Sequence, residues 1–131
     1  MNSFEKGMQK SMTESNKVPH LYLHESIDIS DTETMRQSMK SSHLRVTLMG
    51  ILTKTFSLAL NEFPRLNSTY EPEKSQFSFQ THNSHNVSLA MDSPNGLVVP
   101  NIKNVQDLSI VEIQAKIREL RDLSEKGQLG K

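Results

Sequence analysis

The sequence predicts a single α+β domain, and three patterns carry that expectation. Apolar residues recur at helical spacing from Leu48 to Phe63, two alternating segments flank a turn between Val87 and Pro100, and Ser109-Ile110-Val111-Glu112 has the form of a helix start. The 131 residues suffice for one ordinary domain, and they contain no internal repeat or low-complexity block.

The elements follow in chain order. Phe4, Met8 and Met12 fall at helical spacing, and Pro19 closes that first short helix because the residue before a proline avoids the helical region. From His20 to Ile29, Leu21 and Leu23 alternate with Tyr22 and His24, followed by Ile27 and Ile29, which predicts a half-buried strand. Met35 and Met39 lie four apart behind Ser30 and Asp31, which makes a second short helix with those two residues as candidate caps.

The clearest helix is "TLMGILTKTFSLALNEF". Its expected buried face is Leu48, Ile51, Leu52, Phe56, Ala59, Leu60 and Phe63, with Thr47 as N-cap and Pro64 as its stop. "STYEPEKSQFSFQT" predicts two short strands around a turn at "EPEK", with Phe77 and Phe79 on one side. Val87, Leu89 and Met91 then alternate, Pro94 and Gly96 supply a turn, and "LVVP" returns as the second strand of a hairpin. Pro100 has no N–H to donate, so that strand bulges, ends or lies at an edge there. The last helix opens on the Ser109–Glu112 capping box with Leu108 and Ile113 as a staple. It continues through Ile117, Leu120 and Leu123, and Gly127 and Gly130 punctuate its end.

Composition narrows the chemistry. Fifteen basic and 15 acidic side chains cancel, which leaves no electrostatic footprint for nucleic acid or an anionic membrane, and neither is an expected partner. No apolar run approaches the roughly 18 to 20 residues of a spanning helix, and the N-terminus lacks the apolar centre of a secretory signal. Cys is absent, so thiolate metal sites and a Cys nucleophile are excluded within these residues.

"QKSMTESNKVPHLYLHESIDIS", "FPRLNSTY" and "SHNVSLAMDSPNGLVVPNIKNVQDLSIVEI", in this order, resemble the catalytic domain of the 2-oxoacid dehydrogenase acyltransferases. "SHN", "AMD" and "GLVVPNIKNVQ" resemble its branched-chain members most. The resemblance spans nearly the whole chain. It implies an α/β two-layer sandwich similar to chloramphenicol acetyltransferase, assembled as trimers within larger cores. It also implies transfer of an acyl group from dihydrolipoamide to coenzyme A, with both thiols supplied by substrates and no metal. Partners implied by the family are further copies of the chain and the complex's decarboxylase and dihydrolipoyl dehydrogenase subunits. The implied location is the mitochondrial matrix, or the cytoplasm of a prokaryote.

In that family a His general base sits in a His-Arg-x-x-Asp-Gly signature, and a Ser that stabilises the oxyanion sits in Thr-x-Ser-Asn-x-Gly. Neither string occurs in the 131 residues, nor does the lipoyl domain's Asp-Lys-Ala context or anything resembling a peripheral subunit-binding domain. Residues 1–131 therefore correspond to the N-terminal part of the catalytic domain, expected to be inactive alone. The lipoyl group would be carried on a domain outside these residues. A different reading is a non-catalytic scaffold subunit of the same kind of complex.

The resemblance assigns no catalytic residue here and three toward coenzyme A. Arg36 matches a family Arg suited to phosphate. Thr47 opens the third helix, where unpaired N–H groups face anions, and a plain N-cap role is compatible with that. Asp92 in "AMD" sits where the family has a coenzyme-contacting Asp, although an Asp before "SPNG" is also an ordinary turn residue. Arg121 falls where relatives carry a different polar residue and is not assigned.

The five His offer little further. His20 reads as a structural hydrogen-bonding residue. His82 and His85 do not converge on a metal from a strand or loop, and adjacent Ser84 and His85 would point to opposite faces. Met8, Met12, Met35, Met39 and Met49 read as adaptable core packing.

Overall fold

The computed structural model describes residues 3–41, 44–71, 73–94 and 96–129, with residues 3, 4 and 41 described by backbone alone. Among these, the helices are α1 (Ser3–Ser15), α2 (Ser30–Ser41), α3 (Leu48–Glu62) and α4 (Ile110–Glu125). The strands β1 (Ser68–Tyr70) and β2 (Phe79–Thr81) pair antiparallel, as do β3 (Val87–Ser88) and β4 (Asn101–Ile102). Single 3-10 turns occupy Pro64–Leu66 and Val105–Asp107.

The core gathers where α4, β4 and the second 3-10 turn meet. Ile102, Val105, Ile113 and Ile117 are buried there, and Val87, Leu89, Met91, Leu108 and Leu120 pack around them. The staple pair Leu108 and Ile113 thus falls on this cluster. At the start of α4, the Ser109 N–H donates to Glu112 Oε2 at 2.8 Å and the Glu112 N–H donates to Ser109 Oγ at 3.3 Å, completing the capping box. At its end, Gln128 N–H reaches the Leu123 carbonyl and Gly127 N–H the Ser124 carbonyl, the paired pattern of a Schellman stop. Gly130 lies outside the described residues.

The β3–β4 hairpin forms with Val87 opposite Ile102, but the returning strand is Asn101–Ile102 rather than "LVVP", which contributes only a bridge between Met91 and Val98. Pro100 interrupts it as anticipated. Its carbonyl accepts from the Leu89 N–H at 3.0 Å, but a proline has no N–H to return. Gly96 adopts φ 108 and its N–H closes the turn on the Ser93 carbonyl at 3.0 Å. The β1–β2 hairpin also forms where expected. Phe79 lies beneath the Arg65 guanidinium, 4.7 Å from its ring centroid, while Phe77 is exposed.

α3 is capped by Thr47 and followed by Pro64, but its buried face differs from the one expected. Only Ile51 and Leu60 of the predicted set are buried, while Leu52, Phe56, Ala59 and Phe63 are exposed. The side turned inward instead carries Gly50, Thr53 and Ser57. Small residues win that side because α4 and the 105–107 turn approach it closely. Lys54 fixes this contact: its Nζ donates to the carbonyls of Gln106 and Leu108 at 3.0 and 2.7 Å, which otherwise lack helical partners.

A second expectation fails between His20 and Ile29. That segment has no strand pairing, and every residue from 5 to 31 is exposed. Alternation supplies only the side-chain half of a strand; with no neighbouring strand among the described residues to take its N–H and C=O groups, the segment stays unpaired. α2 begins as expected but takes its cap from Asp28, whose Oδ1 accepts from the Ser30 N–H at 2.9 Å, rather than from Ser30 or Asp31. The methionines are not core either: Met8, Met12, Met35 and Met49 are all exposed and Met39 is half-buried, because no described element lies over those faces.

Candidate functional site

The hairpin, the start of α3 and the later turns of α4 border an open cleft of about 560 Å³. Met49, Leu89, Met91 and Ile117 give it an apolar lining, and Asp92, Arg121 and Glu125 add charge. Asp92 is positioned at both ends. Its Oδ1 accepts from the Ser93 N–H at 3.0 Å, and its carbonyl accepts from buried Ser124 Oγ at 2.7 Å, which ties the hairpin to α4. Opposite it, Arg121 Nε reaches Glu125 Oε1 at only 3.3 Å, on an exposed surface. Such a cleft suits a slender, mainly apolar chain bearing polar groups.

Thr47 stands two residues before Met49 and is held on two sides. Its Oγ1 accepts from the Gly50 N–H at 3.3 Å and donates to Gln114 Oε1 at 2.7 Å, while its own N–H donates to the same oxygen at 2.8 Å. Gly50 leaves room for this arrangement, since a Cβ there would lie 2.9 Å from Gln114 Oε1 and the carboxamide would have to shift off Thr47. The cap role is therefore filled, and the Thr47 hydroxyl also joins two helices.

Arg36 lies elsewhere. Its guanidinium forks onto Glu33 within α2, Nε to Oε2 at 2.7 Å and Nη2 to Oε1 at 2.5 Å, and it does not line the cleft. Hydrogen bonds from Arg36, then from Gln37, pull the Glu33 carboxyl down to about 2. Glu33 in turn raises the Arg36 guanidinium further. Of the three sequence candidates, Asp92 lines the cleft, Thr47 adjoins it, and Arg36 sits on a helix outside it.

Two further buried polar contacts carry no local signal in the sequence. His85, adjacent to Ser84 in sequence, is instead paired with Ser57 of α3, Nδ1 to Oγ at 2.8 Å, with the tautomer deciding which donates. Gln114, buried on α4, binds Thr47. Neither partnership crosses a short sequence distance, so no local signal marks it. His82 Nε2 meets Thr69 Oγ1 at 2.8 Å, and His20 stacks on Tyr22 on the exposed arm. Among the described residues no group of His, Asp and Glu has the form of a metal site, and no helix is long and apolar enough to cross a membrane.

The family model for the 2-oxoacid dehydrogenases acyltransferase catalytic domain matches residues 1–131. The chain belongs to this acyltransferase family. Over 98% of its length the domain is 36% identical to the lipoamide acyltransferase component of the mitochondrial branched-chain alpha-keto acid dehydrogenase complex of Caenorhabditis elegans, of which it covers 29%. Among solved structures, this chain superposes with TM-score 0.88 on a truncated catalytic core of the 2-oxoacid dehydrogenase multienzyme complex from Thermoplasma acidophilum, at 26% identity. That match covers 99% of this chain and 60% of the other. A cubic core of a pyruvate dehydrogenase multienzyme complex gives TM-score 0.85 at 27% identity, with 97% and 53% covered. The chain thus spans less than a third of the worm relative and little more than half of the solved cores.

Proposed function

We propose that this chain forms the first part of an acyltransferase core that moves a branched-chain acyl group from dihydrolipoamide to coenzyme A. The observation that carries it is the 36% identity, over nearly the whole chain, to the worm branched-chain component. In the complete core the fold would be a two-layer sandwich like that of chloramphenicol acetyltransferase, assembled as trimers within a larger shell. Decarboxylase and dihydrolipoyl dehydrogenase subunits would join through other domains, one of which would present the lipoyl group. The place of action is the mitochondrial matrix, or the cytoplasm in a prokaryote.

Within these residues the proposed task is binding. The cleft at Asp92 accepts the slender thiol arm of the coenzyme, with Met49, Leu89, Met91 and Ile117 against its methylenes. Thr47 orders the helix start beside it, and Arg36 offers a guanidinium for phosphate once released from Glu33. The general base and the oxyanion donor fall in family signatures that residues 1–131 do not contain, so the isolated chain is inactive.

The test is a completed core assayed with the S-isobutyryl, S-acetyl and S-succinyl thioesters of dihydrolipoamide. A preference for the isobutyryl thioester supports the assignment, and a preference for the acetyl or succinyl thioester moves it to another branch of the family. No transfer with any thioester, in a core that assembles normally, would instead favour a scaffold.

A further inference from the structure

Arg118 projects from α4, and Nη2 of its fork donates to the Arg45 carbonyl just ahead of α3. Beside this contact lies a small pocket of about 210 Å³, lined by both arginines, by Gln114 and by the aliphatic side chains of Leu44, Val46 and Val111. Among the described residues no acid lines it. Arg36, Lys116 and Arg121 each hold an acid three or four positions away, whereas Arg45 and Arg118 form no ion pair with any described residue. Gln114 adds an unused donor. It is only 3% exposed and its Oε1 is taken by Thr47, but its Nε2 donates to no described residue. No fully buried side-chain nitrogen among the described residues is left without a partner, so this amide nitrogen faces open space, and the pocket is the space that Gln114 lines. The pocket shares no lining residue with the cleft at Asp92.

We infer that this pocket is a binding site for a short aliphatic carboxylate, held between the Arg45 and Arg118 guanidinium groups with Gln114 Nε2 donating to one of its oxygens. A guanidinium fork matches the plane and the paired acceptors of a carboxylate. The volume holds about seven water molecules at roughly 30 Å³ each, which suits a body of about four or five carbons. Leu44, Val46 and Val111 meet that body, and an inorganic anion would leave them wet. Because the same carboxamide holds Thr47, occupancy is felt at the start of α3. Neither acyl transfer nor coenzyme binding is needed for this site to fill.

The experiment titrates valerate into the nitrogen-labelled chain, and NMR follows the Gln114 carboxamide, the Thr47 amide and Arg118 Nε. Saturation of all three along one curve is expected, with a Kd on the order of 1 mM for a ligand of this size. Acetate is expected to bind roughly tenfold more weakly for want of the aliphatic body. Butylamine, which has the body without the carboxylate, is expected to leave the three signals in place. Arg45→Met is expected to weaken valerate binding roughly tenfold, while Lys116→Ala, which removes a cation of α4 outside the pocket, leaves it unchanged. Arg45 is exposed and its side chain bonds to no described residue, so its replacement leaves the fold intact. Inorganic phosphate binding as tightly as valerate, a Gln114 carboxamide that does not move, or equal affinity for valerate in Arg45→Met and Lys116→Ala would each overturn the inference.

Discussion

Gln114 holds Thr47 twice, one carboxamide oxygen accepting from the Thr47 N–H at 2.8 Å and from its hydroxyl at 2.7 Å. A single buried side chain on α4 thereby fastens the start of α3, two residues before the cleft-lining Met49.

Gln114→Leu keeps most of the volume but leaves the Thr47 N–H without its acceptor. A loss of about 1 to 3 kcal/mol is expected from urea unfolding, the cost of an unsatisfied donor. Gly50→Ala is expected to destabilise the unaltered chain through the 2.9 Å approach to Oε1. In a Gln114→Ala background the same change is expected to be nearly neutral, so a double-mutant cycle that shows simple additivity would rule out this contact as the reason for glycine.

Ser57→Ala removes the partner of buried His85 Nδ1. About 1 to 3 kcal/mol of stability is expected to go with it. An imidazole nitrogen resonance unchanged by the substitution would show that the pair does not exist in solution.

The pH response follows from three carboxylates held low, one of them Asp28, which accepts from the Ser30 hydroxyl and N–H. Hydrogen bonds from Ser109 depress Glu112, and those from Arg36 depress Glu33 to about 2. A carboxyl with a lowered folded value contributes stability fully above its unfolded pKa and loses it as pH falls through the folded value. The Glu33 contribution is therefore expected to be intact above about 4.5 and lost toward about 2. Ser109→Ala is expected to return the Glu112 titration toward the ordinary carboxylate range, measured by carboxyl-carbon NMR, and to cost about 0.5 to 2 kcal/mol as a lost cap.

In a completed core, Arg36→Ala is expected to weaken coenzyme A binding by roughly tenfold to a hundredfold, with Arg36→Lys rescuing only in part. The ion pair with Glu33 adds a second expectation: Glu33→Gln frees the fork and strengthens coenzyme binding, while affinity for dihydrolipoamide stays unchanged. Calorimetric titration that finds no change in either variant would take Arg36 out of the binding site.

Local chemistry in the sequence was sufficient wherever a structure depends on near neighbours. The capping box at Ser109, the Thr47 cap, the stop after Leu123 and the gap at Pro100 each involve groups a few residues apart, or one residue's missing N–H, and all formed as the residue types require. The alternating residues from Val87 to Met91 also found their partners, because a tight turn delivers the returning strand. The family was legible for a similar reason: its motifs are contiguous strings, and they match along the full chain.

What tertiary structure alone decided was which surface meets which. Periodicity marks an apolar face on α3 but carries no direction, and α4 took the opposite face, where Gly50 and Ser57 permit close approach. Alternation from His20 to Ile29 marks a strand's side chains but not the neighbour a strand needs for its backbone, and none is present among the described residues. Ser57 with His85 and Thr47 with Gln114 were invisible for the same cause. A buried hydrogen bond between residues 28 or 67 positions apart is specified only when packing brings them within reach.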